Sequence, residues 1–203
     1  MKKKILFTAI LLVGFALNSM ESAAAQRSDA RTDVGVVIDG LRWATRNVGA
    51  PGTFAATPED PGMFYQWNRN TAWPATGTVT GWNTTYERAT EWARANDPCP
   101  RGWRVPTQAE FNSLRMAGTE WTNRNGVYGR TFGTAPNQIF LPAAGWRYNT
   151  DGSLQSANRV GDYWTSQPTA ESMAWSLFFN PPSHSVGVPS MRGHAFPIRC
   201  VAE

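Results

Sequence analysis

The sequence predicts an α+β domain in which two helices precede a run of short antiparallel strands. Two observations lead to this prediction. Residues 84–96 and 107–114 carry apolar side chains at helical spacing, whereas the apolar residues from Ile139 onward fall in short segments with alternating faces. Helices and strands that occupy separate parts of a chain are typical of α+β proteins.

The first 25 residues have the three parts of a secretory signal peptide. Lys2, Lys3 and Lys4 form a basic start, an apolar run extends over residues 5–17, and small residues end at Ala25. The apolar run is shorter than the roughly 20 residues of a membrane-spanning helix, so a cleaved signal is favoured over an anchor. With no cysteine at the cleavage point, we expect an exported protein that is not a lipoprotein, in the periplasm, at the cell surface or outside the cell.

The charge of the mature chain argues against a nucleic acid as partner. All lysines lie in the signal, and the rest of the chain has 16 arginines and 14 acidic residues, a balance near +2 instead of the +4 of the full sequence. Such a balance gives no strongly basic surface for nucleic acid or anionic lipid. We expect a flexible polar leader over residues 26–33 and a single domain over 34–203, without a membrane-spanning segment.

The first predicted element is a β-hairpin. Two apolar stretches, residues 34–38 and 41–45, flank the pair Asp39-Gly40. This pair accepts the positive φ angles that a tight two-residue turn demands. The hairpin therefore opens the domain.

Two helices are predicted after the hairpin. The first, over residues 84–96, ends before Pro98 and has four residues on one face, namely Tyr86, Ala89, Trp92 and Ala93. The second begins with a capping box in which the Thr107 hydroxyl accepts from the amide of Glu110 and the glutamate reaches back. Phe111 and Leu114 supply its buried face.

The remainder of the chain is predicted as short strands. Within residues 173–179 the alternate residues Trp175, Leu177 and Phe179 share one face, as expected for a strand. The six predicted strands cover residues 139–142, 146–148, 162–166, 173–179, 185–188 and 195–201.

Seven segments follow one another in the order found in a known family. They are residues 38–50, 64–67, 96–107 with Glu110, 140–147, 161–166, 174–179 and 193–201. On these segments, residues 36–201 resemble the Fibrobacter succinogenes major paralogous domain, a family common in secreted and surface proteins of Bacteroidetes-type bacteria.

The resemblance implies a C-type lectin-like fold, in which two helices flank a small antiparallel sheet with long irregular loops. It also implies a disulfide between Cys99, after the first helix, and Cys200, in the last strand. An exported chain with two cysteines favours such a bond, and two free buried thiols are the alternative.

The sequence predicts neither an enzyme nor a cofactor. His184 and His194 are the only histidines, and no metal-binding spacing joins them to other ligands. Formylglycine-generating enzymes share a variant of the implied fold, but they use paired cysteines at a copper site, and here both cysteines are assigned to the disulfide. Calcium-dependent sugar-binding lectins typically carry Glu-Pro-Asn or Gln-Pro-Asp in a loop, where this chain has Ala135-Pro136-Asn137 without a carboxylate before the proline.

Loop tryptophans and the segment before the last strand are the predicted ligand contacts. An aromatic face beside Asn, Arg or Thr can stack on a sugar ring or anchor a protein partner, with a place in the core as the alternative. In C-type lectin-like proteins the segment before the last strand often faces the ligand. The candidates are Trp73, Trp82, Trp121, Trp146, Asn180, His184, Met191 and Arg192.

The leading hypothesis is a non-catalytic exported binding module that presents loops to a glycan or protein at the bacterial cell envelope, as in adhesion. One alternative is a structural accessory or tip subunit of a surface fibre or envelope assembly, which co-purification with fibre proteins would favour. The other is a formylglycine-type oxidative enzyme, whose activity would depend on Cys99 or Cys200.

Overall fold

The computed structural model describes residues 30–203, which form a mostly β structure with one α-helix. Their strands make four small antiparallel sheets. The predicted α+β fold of the C-type lectin type, with two helices flanking one sheet, is therefore wrong. The predicted signal peptide, residues 1–25, lies outside the described residues.

The strands are short and follow one another closely along the chain. They are β1 (Val36–Ile38), β2 (Leu41–Trp43), β3 (Tyr65–Gln66), β4 (Trp103–Arg104), β5 (Thr119–Arg124), β6 (Val127–Thr134), β7 (Asn137–Pro142), β8 (Trp146–Arg147), β9 (Leu154–Gln155), β10 (Gly161–Ala170), β11 (Met173–Phe179), β12 (His184–Met191), β13 (Ala195–Phe196) and β14 (Val201–Ala202). The helix α1 spans Gln108–Met116. The sheet orders are β1-β2-β14-β4, β3-β13-β8-β9, β5-β6-β7 and β10-β11-β12.

The predicted opening hairpin forms. Ile38 pairs with Leu41, and Asp39 and Gly40 at the turn have φ angles of 49° and 77°. Positive φ at both central residues matches the right-handed twist of the two strands. The hairpin prediction is confirmed.

The end of the predicted leader lies against this hairpin. The Asp33 carboxylate accepts hydrogen bonds from the backbone amides of Gly35 and Thr45 at 2.8 and 3.0 Å, and its Oδ2 lies 3.4 Å from Nε of Arg46. Asp33 therefore fastens the start of the domain to the end of β2.

The helix predicted over residues 84–96 does not form. Only Arg94–Asn96 make a single 3-10 turn. The carbonyls of Glu87 and Ala89 accept hydrogen bonds from Arg192 at 2.7 and 2.9 Å, and the Trp92 amide donates to Ser166 at 3.2 Å. These long-range partners satisfy backbone groups that a helix would have paired locally, so tertiary contacts override the amphipathic spacing.

The second predicted helix, α1, is confirmed. The Thr107 hydroxyl accepts from the Glu110 amide at 3.2 Å, and the Glu110 carboxylate accepts from the Thr107 amide at 2.7 Å. Phe111 and Leu114 are fully buried, as predicted. The capping box thus sets where the helix begins.

Five of the six predicted strands coincide with β7, β8, β10, β11 and β12, and the bounds of β11 are those predicted. The sixth, residues 195–201, divides into β13 and β14, which belong to different sheets. Pro197 follows β13 directly and has no amide hydrogen for a ladder, which accounts for the break.

The predicted disulfide joins Cys99 to Cys200, with their Cα atoms 6.1 Å apart and 101 residues of sequence separation. Cys99 follows the loop and 3-10 turn that stand in place of the predicted helix. The Cys200 carbonyl also accepts from the Ala44 amide at 3.0 Å, next to β2. The bond therefore ties the middle of the chain to the segment before β14.

The β5-β6 hairpin is the main element that the sequence predictions lack. Its turn residues, Asn125 and Gly126, have φ angles of 51° and 87°. Sheet β5-β6-β7 packs with sheet β10-β11-β12 and α1 around one core cluster, which includes Phe111, Leu114, Phe132, Leu141, Leu177 and Phe179. This packing positions the cleft described below.

Candidate functional site

The structure distributes the predicted ligand contacts over three places. The first group, around sheet β3-β13-β8-β9, consists of Trp73, Trp82 and Trp146. The second group lies at the end of sheet β10-β11-β12 where β11 leads into β12, and consists of Trp121, Asn180 and His184. The third group, at the opposite end of that sheet, consists of Met191 and Arg192. Because β11 has seven residues, the two ends of that sheet are roughly 20 Å apart.

The first group is largely committed to packing. Trp73 is buried, and its ring centroid lies 4.8 Å from that of Trp82. The Trp82 indole nitrogen donates to the Asn149 carbonyl at 3.0 Å. Trp146 is half-buried and packs against the core cluster that contains the disulfide. These indoles support the sheet and the loop over it.

Arg192 is also a packing group. Its side chain is buried and donates four hydrogen bonds to backbone carbonyls, those of Glu87, Ala89, Ala170 and Met173. The guanidinium carbon lies 4.2 Å from the centroid of Trp67, a cation–π distance. Arg192 therefore holds residues 84–90 against the sheet, while its neighbour Met191 is 49% exposed.

The second group borders a cleft of about 380 Å³, here called the aromatic cleft. Its lining residues are Trp121, Tyr128, Asn158, Arg159, Val160, Asn180 and Pro181. Trp121 and Tyr128 are stacked, with their ring planes 13° apart and their centroids 6.2 Å apart. The Trp121 ring also meets the buried Phe179 at 6.4 Å, whereas Tyr128 is 47% exposed. The aromatic pair thus packs against the core through Trp121 and faces the solvent through Tyr128.

Segments held by hydrogen bonds form the other walls of the cleft. Asn158 has a φ of 63°, and its amide donates to the Ala143 carbonyl at 2.7 Å. The Asn180 side-chain oxygen accepts from both the amide and the hydroxyl of Ser183, each at 2.9 Å. The cleft is therefore preformed by its own backbone geometry.

Arg130 lies behind the wall that Asn180 and Pro181 form. It is 6% exposed, and its Nη2 donates to the carbonyls of these two residues at 2.8 and 3.1 Å. Its Nε is buried with no hydrogen-bond partner within residues 30–203, and no described carboxylate forms an ion pair with it. Burial lowers the pKa of Arg130. The cleft therefore has a poorly compensated cation behind it.

His184 lies in the same positive field. Burial, followed by the nearby cations Arg130 and Arg115, lowers the pKa of His184. Its Nδ1 is buried and has no partner among the described residues. An imidazole with a lowered pKa is neutral at neutral pH, so the positive charge here belongs to the arginines.

Among the described residues, three clefts are larger than the aromatic cleft. Two of them, of about 470 and 660 Å³, share Thr90 and Pro168, and the third, of about 420 Å³, lies between the opening hairpin and α1. Apart from the exposed Glu91, the charged side chains that line them already have partners in the described part of the chain. Arg88 pairs with Glu171 at 2.9 Å, and Arg104 donates to Glu110 at 2.9 Å. The Asp97 carboxylate accepts from the amides of Cys99 and Val105 at 2.9 and 3.1 Å. A ligand would have to compete with these contacts, which is not so in the aromatic cleft.

Residues 30–203 contain no cluster of three or more His, Cys, Asp or Glu side chains that could hold a metal ion. Both cysteines are in the disulfide. In the same part of the chain, no helix has the length and apolarity needed to cross a membrane.

Several residues that line the cleft or lie behind its wall are missing from the predicted ligand contacts, namely Tyr128, Arg130, Asn158, Arg159, Val160 and Pro181. The pair Asn125-Gly126 is a signal that could have found two of them. A two-residue turn there pairs Asn123 with Tyr128 and Trp121 with Arg130, which is the observed register. Since alternate residues share a face, Trp121, Tyr128 and Arg130 lie on one side of the hairpin.

The fold and the cleft define a mostly β, disulfide-closed domain with an exposed aromatic cleft. The family model of the Fibrobacter succinogenes major domain matches residues 23–202, and the chain therefore belongs to this family. No curated protein and no solved structure matches the chain significantly. The likeness to C-type lectins and formylglycine-generating enzymes thus gains no support.

Proposed function

We propose that this chain is an exported, non-catalytic binding module that recognises a glycan at the bacterial cell envelope through the aromatic cleft. The observation that carries the proposal is the stacked pair of Trp121 and Tyr128 beside polar side chains. Aromatic faces are good partners for the apolar C–H faces of sugar rings, and polar groups at the rim can bind their hydroxyls.

The polar rim is available to a ligand. Asn158 and Arg159 are exposed, and their side chains make no hydrogen bond or ion pair with the described residues. The volume of about 380 Å³ lies within the range of about 300–1,000 Å³ that is common for ligand sites. The cleft can therefore offer both stacking and hydrogen bonding to one or a few sugar units.

The export part of the proposal rests on two features. Residues 1–25 have the composition of a signal peptide. Cys99 and Cys200 are bonded, and structural disulfides persist mainly in oxidising compartments outside the cytoplasm. Both features are those of a protein that works in the envelope or beyond it.

Glycan-array screening of the mature chain, followed by calorimetry on the glycans retained, tests the proposal. Trp121→Ala and Tyr128→Ala should each weaken binding about tenfold or more, corresponding to about 1.4 kcal/mol. Tyr148→Ala is the matched control, because Tyr148 is 42% exposed but does not line the cleft. Binding that Tyr148→Ala weakens as much as Tyr128→Ala does, or binding to proteins alone, would contradict the proposal.

A further inference from the structure

We infer that the glycan is acidic and that its sugar carboxylate binds Arg159 at the rim of the aromatic cleft, with Arg130 attracting it from behind the wall. This inference rests on the proposed function of the cleft and adds the chemical class of its ligand. Three observations support it: the charges lining the cleft, the state of Arg130 and the surroundings of His184.

The lining of the cleft has one cationic side chain, Arg159, and no acidic one. Arg159 is exposed and forms no ion pair with any described carboxylate. The acidic residues near the β5-β6 hairpin do not neutralise the charge of Arg159. Glu120 precedes Trp121 and points to the opposite face of β5, and Glu59 lies 3.8 Å from Arg124. A guanidinium without a partner at the rim of a cleft can bind a carboxylate with two parallel hydrogen bonds.

Arg130 adds a second positive charge at short range. It pairs with Trp121 across β5 and β6, so both side chains lie on the face of the hairpin that the cleft occupies. Buried charges are normally paired, yet Arg130 has only carbonyl partners and a buried Nε without any partner among residues 30–203. In this partly dry environment its field is weakly screened, so an anion in the cleft is stabilised without touching it.

The surroundings of His184 agree with this charge distribution. Burial first, and then the nearby cations Arg130 and Arg115, lower the pKa of His184, because these arginines disfavour a further positive charge at this position. The same field favours a negative one nearby. A bound carboxylate should offset part of the arginine charge and move the His184 pKa upward.

The test compares acidic oligosaccharides with neutral forms of the same shape. Trimers of galacturonate and of glucuronate are titrated into the mature chain beside their methyl esters, which keep the ring and lose the charge. We expect at least one acid to bind tenfold or more tighter than its ester at low salt, and this advantage to shrink as salt rises. Arg159→Gln should remove the advantage, so that the acid and its ester bind the variant with equal affinity.

Proton NMR of the two histidines gives a second readout. The preferred acid should raise the pKa of His184 and leave that of His194 unchanged, because His194 lies just after β12, at the end of sheet β10-β11-β12 opposite to the cleft, and beside Tyr148. The ester should change neither.

The outcomes separate the inference from the proposed function. Equal binding of acid and ester, with loss of both in Tyr128→Ala, overturns the acidic ligand and keeps the glycan-binding function. Binding of poly-glutamate as tight as that of the preferred acid overturns the sugar as the source of the carboxylate. Absence of binding to every acidic and neutral glycan overturns both.

Discussion

Arg199 donates two hydrogen bonds to a single oxygen of Asn47, from Nε at 3.0 Å and from Nη2 at 2.7 Å. Both side chains are fully buried. Arg199 also donates to the carbonyls of Ala44 and Phe140, each at 3.0 Å, and burial lowers its pKa to about 10. It therefore remains charged at neutral pH and joins the segment before β14 to the residues after β2 and to β7.

Asn47→Ala should reduce the free energy of unfolding by about 3 kcal/mol, because it leaves a buried guanidinium without one of its main acceptors. Asn112→Ala is the matched control, since Asn112 accepts from Arg115 at 3.1 Å on the exposed surface of α1. The control should change stability by less than about 0.5 kcal/mol. Urea denaturation followed by tryptophan fluorescence measures both, and equal effects would contradict the role assigned to Asn47.

Reduction of the Cys99–Cys200 bond should lower the denaturation midpoint. The bond closes a loop whose ends are 101 residues apart, and the chain-entropy model gives about 4.7 kcal/mol as an upper value for a loop of about 100 residues. Denaturation with and without reductant measures the effect. The variant with both cysteines replaced by serine should resemble the reduced protein and should not respond to reductant. An unchanged midpoint in the wild type would show that the bond contributes no stability.

Asp162 should make the protein less stable as the pH rises from about 4 to about 7. Burial raises its pKa to about 7 from the ordinary value of 3.8, so the folded state holds a proton that the unfolded state has lost over this range. The Asp162 carboxyl contributes most to the free energy of unfolding below its pKa in the unfolded state. That contribution is lost as the pH rises through its pKa in the folded state.

Asp162→Asn keeps a neutral side chain at all pH values. Thermal unfolding at pH 5 and pH 8 should therefore show that the variant gains stability relative to wild type at the higher pH. Asp151→Asn is the control, because the Ser153 amide lowers the pKa of the exposed Asp151 carboxyl, which is therefore ionised at both pH values, so this substitution should have the same effect on stability at pH 5 and pH 8. If the difference in thermal stability between the wild type and Asp162→Asn is the same at both pH values, Asp162 does not titrate in this range.

Gly126→Val should lower stability by about 1–2 kcal/mol and weaken the proposed glycan binding at the same time. A β-branched residue is strained at the φ of 87° found there, and the turn fixes the register that places Trp121 beside Tyr128 and Arg130. Asn125→Gly is the control, since glycine accepts the φ of 51° at its own position. The stability measured by denaturation and the affinity measured by calorimetry should both fall in Gly126→Val. If the affinity is retained, the turn does not determine the geometry of the cleft.

Elements with a short-range chemical signal were predictable from the sequence. The turn residues Asp39-Gly40 and the capping box of Thr107 and Glu110 act within four residues, and both form as predicted. The helix over residues 84–96 rested on spacing alone. Backbone carbonyls of this segment instead accept hydrogen bonds from Arg192, about 100 residues further along the chain. No local sequence pattern predicts such a distant partner.

The cleft was predictable only in part, for the same reason. Trp121 and Asn180 stand out because an aromatic or amide in a loop is a common contact residue. Tyr128 and Arg130 follow once Asn125-Gly126 is interpreted as a hairpin turn. Arg159 enters the cleft through tertiary contacts, such as the bond from the Asn158 amide to Ala143, and sequence patterns do not contain this information.

The division of residues 195–202 between two sheets has a consequence for how the protein matures. β13 lies between β3 and β8, and β14 lies between β2 and β4, so each is an inner strand of its sheet. While a nascent chain still lacks these residues, both sheets have an empty centre and Cys99 has no bonding partner. Completion of the fold is therefore postponed until synthesis has passed Ala202, so that two of the sheets and the disulfide can close only after nearly the whole chain has been made.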